Sequence, residues 1–409
     1  MFDRTRPPRP ANGPESDPGG GAFASVRARN RQPGACSPSI GFERHGAESA
    51  AFQIGSSELG AGIGAQQRAS EKGPHFVSRA YTNHAGTREY KLLIPTAFHL
   101  RPLPLVVMLH GCNQTPDEFA LATRMNALAE QKGFYVVYPA QPERANPARC
   151  WNWFDSSHQR RDQGEPAIVA GLVKHLVQCY CLDGKRVYVA GLSAGGAMAV
   201  ILGRLYPDLF AAVGVHSGLP YAAAHDTRSA FLAMKRGNDG SNAVVGCQRR
   251  CDVSGKSSAI PTIVFHGDRD ATVHPGNGLA VAEQSAGNST PRIEADALAL
   301  GAESPFARRV CARRRFTCTR FRTASEKVVV EQWLVHGGGH AWFGGDPREA
   351  YTDPEGPNAS EEIIRFFFSH ALESPLRRTS SGLRFGHKTA CGAGGCLKRQ
   401  VPGFLLSNT

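Results

Sequence analysis

From His75 onward the chain alternates short apolar runs with stretches of helical spacing. FVSRAYTN and REYKLLIP predict two antiparallel strands joined through the Asn83–Gly86 turn region. PLVVMLHG (104–111) is a continuous apolar run bounded by turn signals, the pattern of a buried central strand. A helix is expected at Thr115-Pro116-Asp117-Glu118, where Thr at the N-cap, Pro at the first helical position and Glu at the third make a capping box. It should run to Gln131 and stop at Gly133. FYVVYPA (134–140), RVYVAG (186–191), AAVGVHSG (211–218), PTIVFHGD (261–268) and KVVVEQWLVHG (327–337) read as further strands. EPAIVAGLVKHLVQCY (165–180), Ala194 to Tyr206 and the amphipathic SEEIIRFFFSHAL (360–372) read as helices, the second broken by Pro207.

Strands alternating with helices predict an α/β fold with a mostly parallel central sheet and helices on both faces, the two leading strands forming its antiparallel edge. Residues 76–372 are expected to form this domain. Residues 1–75, rich in Gly, Pro, Ser, Ala and Arg without sustained period, read as a disordered extension. The basic tail 373–409 is too short and polar for a core of its own. Residues 221–259 and 281–325 are less regular and are expected to be excursions over the site. No internal repeat is visible.

Composition narrows the class. No run approaches the ~18 apolar residues of a membrane span, so no membrane partner is expected. The start, MFDRTRPPRPANGPESDPGG, lacks the apolar stretch of a secretory signal. The net charge of +12 concentrates in RRVCARRRFTCTRFR (308–322), with seven arginines and no acid, and in the tail. Such clusters can attract an anionic polymer. No nucleic-acid-binding motif accompanies them, and solvated surface is the simpler reading. Eleven cysteines suit an oxidising compartment. Cys112 and Cys150 flank one strand–helix–strand unit and can staple it. No paired CxxC spacing supports a metal site.

The candidate chemistry lies at the carboxyl ends of the predicted strands, where parallel α/β sheets gather functional groups. Gly191-Leu192-Ser193-Ala194-Gly195 follows RVYVAG and opens a helix, the strand–turn–helix setting of a G-x-S-x-G nucleophile elbow. A glycine-rich corner would look the same over five residues, so a base and an acid must be found elsewhere. After PTIVFHGD, Asp270 lies beyond the glycine turn where it can reach a histidine. Asp268 is the expected turn residue. After the last strand, His340 sits on Gly337-Gly338-Gly339, whereas His336 is still close to the strand. Ser193, Asp270 and His340 are therefore the candidate catalytic residues, in the order such elbows use. Backbone N–H groups of Ala194 and Cys112 are the candidate oxyanion donors.

HGCNQTPDEFA, CWNWF (150–154), GLSAGG, HGDRDATVHPGNG (266–278) and GGGHAWFGG followed by YTDPEGPNAS (351–360) resemble the poly(3-hydroxybutyrate) depolymerase family of esterases. The similarity runs in order over residues 76 to 370. It implies an α/β-hydrolase fold and a serine esterase acting on short-chain polyhydroxyalkanoates or, in relatives, on feruloyl and acetyl esters. It implies Ser193, Asp270 and His340 as the triad, Cys112 as an oxyanion donor, an extracellular location, and no metal or cofactor. The linker and separate polymer-binding domain of many extracellular members are absent from these residues, which favours oligomers or small esters. Trp151, Trp153 and Trp342 are candidate substrate contacts, with core or rim packing as the alternative. A feruloyl or acetyl-xylan esterase is the neighbouring reading. A non-catalytic binding protein that keeps the fold is the reading from another class.

Overall fold

The computed structural model describes residues 74–96, 101–237, 260–287, 292–298 (backbone only) and 313–373. The expected extension up to residue 73, the tail from residue 374, and Cys36, Cys247, Cys251, Cys311, Cys391 and Cys396 lie outside the described residues.

A ten-stranded sheet organises the domain, in the order β1-β2-β4-β3-β5-β6-β7-β10-β9-β8. Its strands are β1 (His75–Asn83), β2 (Gly86–Ile94), β3 (Leu105–Leu109), β4 (Tyr135–Pro139), β5 (Val187–Leu192), β6 (Ala212–His216), β7 (Thr262–Gly267), β8 (Arg292–Leu298), β9 (Phe316–Arg322) and β10 (Val328–Val335). From β4 through β10 every neighbouring pair is parallel. Pairings at both flanks are antiparallel. The fold class is as expected, but the antiparallel edge is doubled. The described part of 281–325 is not the expected excursion over the site: β8 and β9 extend the sheet at its far side, while residues 288–291 and 299–312 lie outside the described residues. In FTCTRFR the period-two set Phe316 and Cys318 points into the core, a signal masked by the arginines around it. Two of those arginines pair with acids, Arg314 with Asp353 at 2.6 Å and Arg320 with Glu331 at 3.4 Å.

Every position of β3, β5, β6 and β7 is buried, so each strand feeds two cores. Leu105, Val107 and Leu109 face one side, with Val169 and Val173 of α3 (Gly164–Cys179) and Met198 and Leu202 of α4 (Ala194–Leu205). Val106 and Met108 face the other, with Phe119 of α1 (Pro116–Thr123), Met125 of α2 (Met125–Lys132) and Ile363 and Phe367 of the closing helix Ala359–Phe368. Burying each such side chain contributes roughly 1.5–3 kcal/mol. The capping box at Thr115 and Glu118 is present. The single helix expected from there to Gln131 is instead two, parted at Arg124, whose φ is 53°. Tertiary partners take the carbonyls at the break: Asp346 N donates to Ala122 O and Ser360 Oγ to Thr123 O. The closing helix ends at Phe368, short of the expected Leu372, and is capped by Asn358.

Candidate active site

Four loops leave the carboxyl ends of β3, β5, β7 and β10 in the parallel part of the sheet, with β6 between the first two and the last two. On the β5 loop, Ser193 has φ 57° and ψ −119°, and α4 begins at the next residue. A non-glycine residue with positive φ is held there by its surroundings. Ser193 N donates to His216 O at 2.9 Å, and Ala197 N to Ser193 O at 2.9 Å. The flanking glycines allow this turn by close approach. A Cβ on Gly191 would stand 2.4 Å from the backbone of Gly195, and one on Gly195 would stand 2.1 Å from Leu109 O.

Asp270 and His340 meet across the β7 and β10 loops, with His340 Nδ1 2.7 Å from Asp270 Oδ2. The Asp270 carboxylate is fully buried; its Oδ1 accepts from Thr272 N (2.9 Å) and Val273 N (2.8 Å). His266 Nε2, which donates to Val273 O at 2.8 Å, also lies 3.4 Å from Oδ2. Burial alone would raise the Asp270 carboxyl, but hydrogen bonds from His266 and His340 outweigh it and hold it far below the usual carboxylate range. His340 keeps 13% of its side chain exposed, toward a cavity of about 400 Å³ that Ser193, Ala194 and Cys112 also line.

The β3 loop is held from several sides. Cys112 forms a disulfide with Cys150. Gly111 N donates to Gln114 Oε1 (2.9 Å), and Asn113, at φ 61°, donates its N–H to Ala148 O (2.7 Å). His110 beneath them is 1% exposed; its Nδ1–H donates to Gly111 O (2.8 Å) and its Nε2 accepts from Gln141 N (3.1 Å). Burial lowers the imidazole from 6.5 to about 4. Between those two values the unfolded chain binds a proton that the folded His110 does not. Stability is therefore expected to fall as pH drops from 6.5 toward 4, His110 contributing roughly 3 kcal/mol of the loss. Urea midpoints across that window should show a shallower slope for His110→Gln than for the parent. Equal slopes would remove His110 from the account.

The expectation for the tryptophans is corrected at two positions. Trp151 and Trp342 are fully buried and do not line the cavity. Trp151 Nε1 donates to His110 O at 3.2 Å; Trp342 Nε1 donates to Ser360 Oγ at 3.1 Å while its ring stacks on His216. An indole N–H finds a partner when buried, and both do so in the core. Trp153 lines the cavity together with Phe154.

Sequence reasoning missed α5 (Thr227–Arg236), which presents Thr227, Ala230, Phe231 and Met234 to the cavity as one helical face. The reciprocal cap between Asp226 and Ser229 marks its start and was legible. This helix bears out the expected excursion over the site at the beginning of 221–259; residues 238–259 lie outside the described residues. Also missed was Glu165, 2% exposed, which accepts from Asn152 N (2.9 Å) and Asn152 Nδ2 (2.9 Å) and from Arg88 Nη2 (3.2 Å). It ties the CWNWF segment to α3. Asp268 is more than a local turn residue, since it meets His336 at 3.0 Å.

A parallel sheet carrying an elbow-like serine turn, with an Asp–His pair on later loops, gives the chain the α/β-hydrolase fold. Residues 88–289 match the family model described as Esterase PHB depolymerase. The match covers just under half of this chain. Poly(3-hydroxyalkanoate) depolymerase C of Paucimonas lemoignei is 40% identical over 182 residues, 44% of this chain and 44% of that protein. The probable acetylxylan esterase A of Aspergillus fumigatus is 28% identical over 218 residues, 52% of this chain and 57% of that one. The chain thus spans about half the length of these curated relatives. Among solved structures, an acetyl xylan esterase from Aspergillus awamori shares the fold, with a TM-score of 0.53 at 20% identity over 69% of this chain and 94% of that chain. Among the described residues, no helix is long and apolar enough to cross a membrane.

Proposed function

We propose that this protein is a serine esterase that cleaves carboxylic esters through an acyl-enzyme, with short-chain polyhydroxyalkanoate oligomers as its substrates. The observation that carries the reading is the buried Asp270 bonded at 2.7 Å to His340, which opens onto the same cavity as the strained Ser193. In this mechanism His340 takes the Ser193 proton as the hydroxyl attacks the ester carbonyl. Asp270 holds hydrogen on Nδ1, leaving Nε2 free to act as the base. The backbone N–H groups of Ala194, in the first turn of α4, and Cys112 receive the negative charge that develops on the carbonyl oxygen. The imidazolium then protonates the leaving alcohol, and water activated by the same ring releases the acid.

The cavity favours a compact, apolar acyl chain. Leu192, Leu219, Phe154, Phe231 and Met234 form much of its wall, and Asn113 and Asn146 supply polar edges. A hydroxyalkanoate repeat has this composition, an aliphatic chain with one ester per unit. The relative that is 40% identical is a depolymerase by name, which supports the same substrate. The Cys112–Cys150 disulfide supports an extracellular or otherwise oxidising location.

Incubation with a fluorophosphonate followed by peptide mass mapping should place the adduct on Ser193. Turnover of 3-hydroxybutyrate trimer should exceed that of methyl ferulate and acetylated xylan. Faster turnover of the latter two would move the assignment to the plant-polymer esterases. Binding of these esters without turnover of any would leave the non-catalytic reading.

A further inference from the structure

Two acids two residues apart meet two histidines four residues apart, and the structure pairs them in parallel: Asp270 with His340, Asp268 with His336. The second pair does not line the cavity, and about a third of each side chain is exposed. It stands where the histidine-bearing loop is least able to hold itself. Gly337, Gly338 and Gly339 have no side chains to pack, and a Cβ placed on Gly339 would meet nothing within 4 Å. Three consecutive glycines lose more conformational entropy on ordering than other residues.

Asp268 supplies the missing restraint. Its Oδ1 accepts from Gly337 N at 2.7 Å, and its Oδ2 accepts from His336 Nδ1 at 3.0 Å. His336 Nε2 in turn accepts from the hydroxyl of Thr317 on β9 at 2.9 Å. The backbones join in the same place: Asp268 N donates to Val335 O (3.1 Å) and Arg269 N to Gly338 O (3.0 Å). Asp268 is thus a second side chain, besides Asp270, that ties the loop of the acid to the loop of the base, with Thr317 and His336 bracing it from the sheet.

We infer that Asp268 is a positioning residue: through the clamp Thr317–His336–Asp268–Gly337 it holds the glycine loop so that His340 stays over Ser193. This rests on the assignment of Ser193, His340 and Asp270 above. A base displaced by an ångström loses roughly 10²-fold in rate. Asp268→Ala is therefore expected to lower kcat roughly 10- to 100-fold and leave KM within about twofold. Asp268→Asn keeps an acceptor for Gly337 N and should stay within about threefold of the parent. Substituting the half-buried His336, which is not part of the apolar core, by Ala should lower kcat by about three- to tenfold and provides the test should Asp268→Ala not fold. Parental kcat in Asp268→Ala and His336→Ala, a raised KM at unchanged kcat, or an Asn variant as slow as the Ala variant would each overturn the clamp. Ser193→Ala run in the same assay separates the two questions. If it still turns over, the underlying assignment fails. If it is silent while Asp268→Ala is fast, only the clamp fails.

Discussion

Asp270→Asn is expected to lose about four orders of magnitude in kcat while the protein stays folded. The reason lies in which atoms face the carboxylate. Asp270 Oδ1 accepts two backbone N–H groups, from Thr272 and Val273. An asparagine would keep its carbonyl oxygen there and turn its NH₂ toward the histidines. His340 would then meet a donor at Nδ1, shift its hydrogen to Nε2, and have no lone pair to accept the Ser193 proton. His266 can still donate to Val273 O, so the loop retains most of its bonds. Turnover of p-nitrophenyl butyrate, with circular dichroism as the folding control, measures the effect. The companion Asp268→Asn, expected within about threefold, makes the contrast specific to one acid of the two. A loss below tenfold for Asp270→Asn would rule out this acid as the orienting group.

Gly195→Ala should be the most damaging small substitution in the described domain. Its added Cβ would stand 2.1 Å from Leu109 O and 2.6 Å from His110 O, both backbone atoms of a fully buried strand end. No side chain can move aside, so the start of α4 must separate from β3, opening the core on the α3–α4 face of the sheet. The expected cost is more than about 4 kcal/mol, in the range where single changes abolish soluble expression. Gly339→Ala is the control: its Cβ enters open space, and stability should stay within about 0.5 kcal/mol of the parent. Urea unfolding of both variants checks the pair. A stable Gly195→Ala would mean that the elbow has slack that the packing does not show.

The two cases mark how far the chain could be read before it was folded. Asp270 is the expected acid because it lies two residues farther past the glycine turn than Asp268, and His340 the expected base because a glycine run separates it from β10. The structure brings Asp270 and His340 together, and it gives Asp268 and His336 a bond of their own. That second pairing was not legible, because it depends on the parallel register of β7 and β10, which sets Leu334 beside His266 and Val335 beside Gly267. The tryptophans show the same limit. Trp151, Trp153 and Trp342 have equal claims as residue types, yet only Trp153 lines the cavity.

Local signals with a short physical range were legible in the chain: the strands as apolar runs, the Thr115 capping box and the glycines around Ser193. Each rests on interactions within a few residues or on the two-residue period of a strand. The rest depended on neighbours distant in sequence. Asp346 and Ser360 part the helix at Arg124 by taking its carbonyls, and β9 joins the sheet because β10 offers it an antiparallel partner. Burial sends one tryptophan to the cavity and two to the core. These outcomes turn on which polar groups find partners once water is excluded, and those partners come together only when the sheet closes.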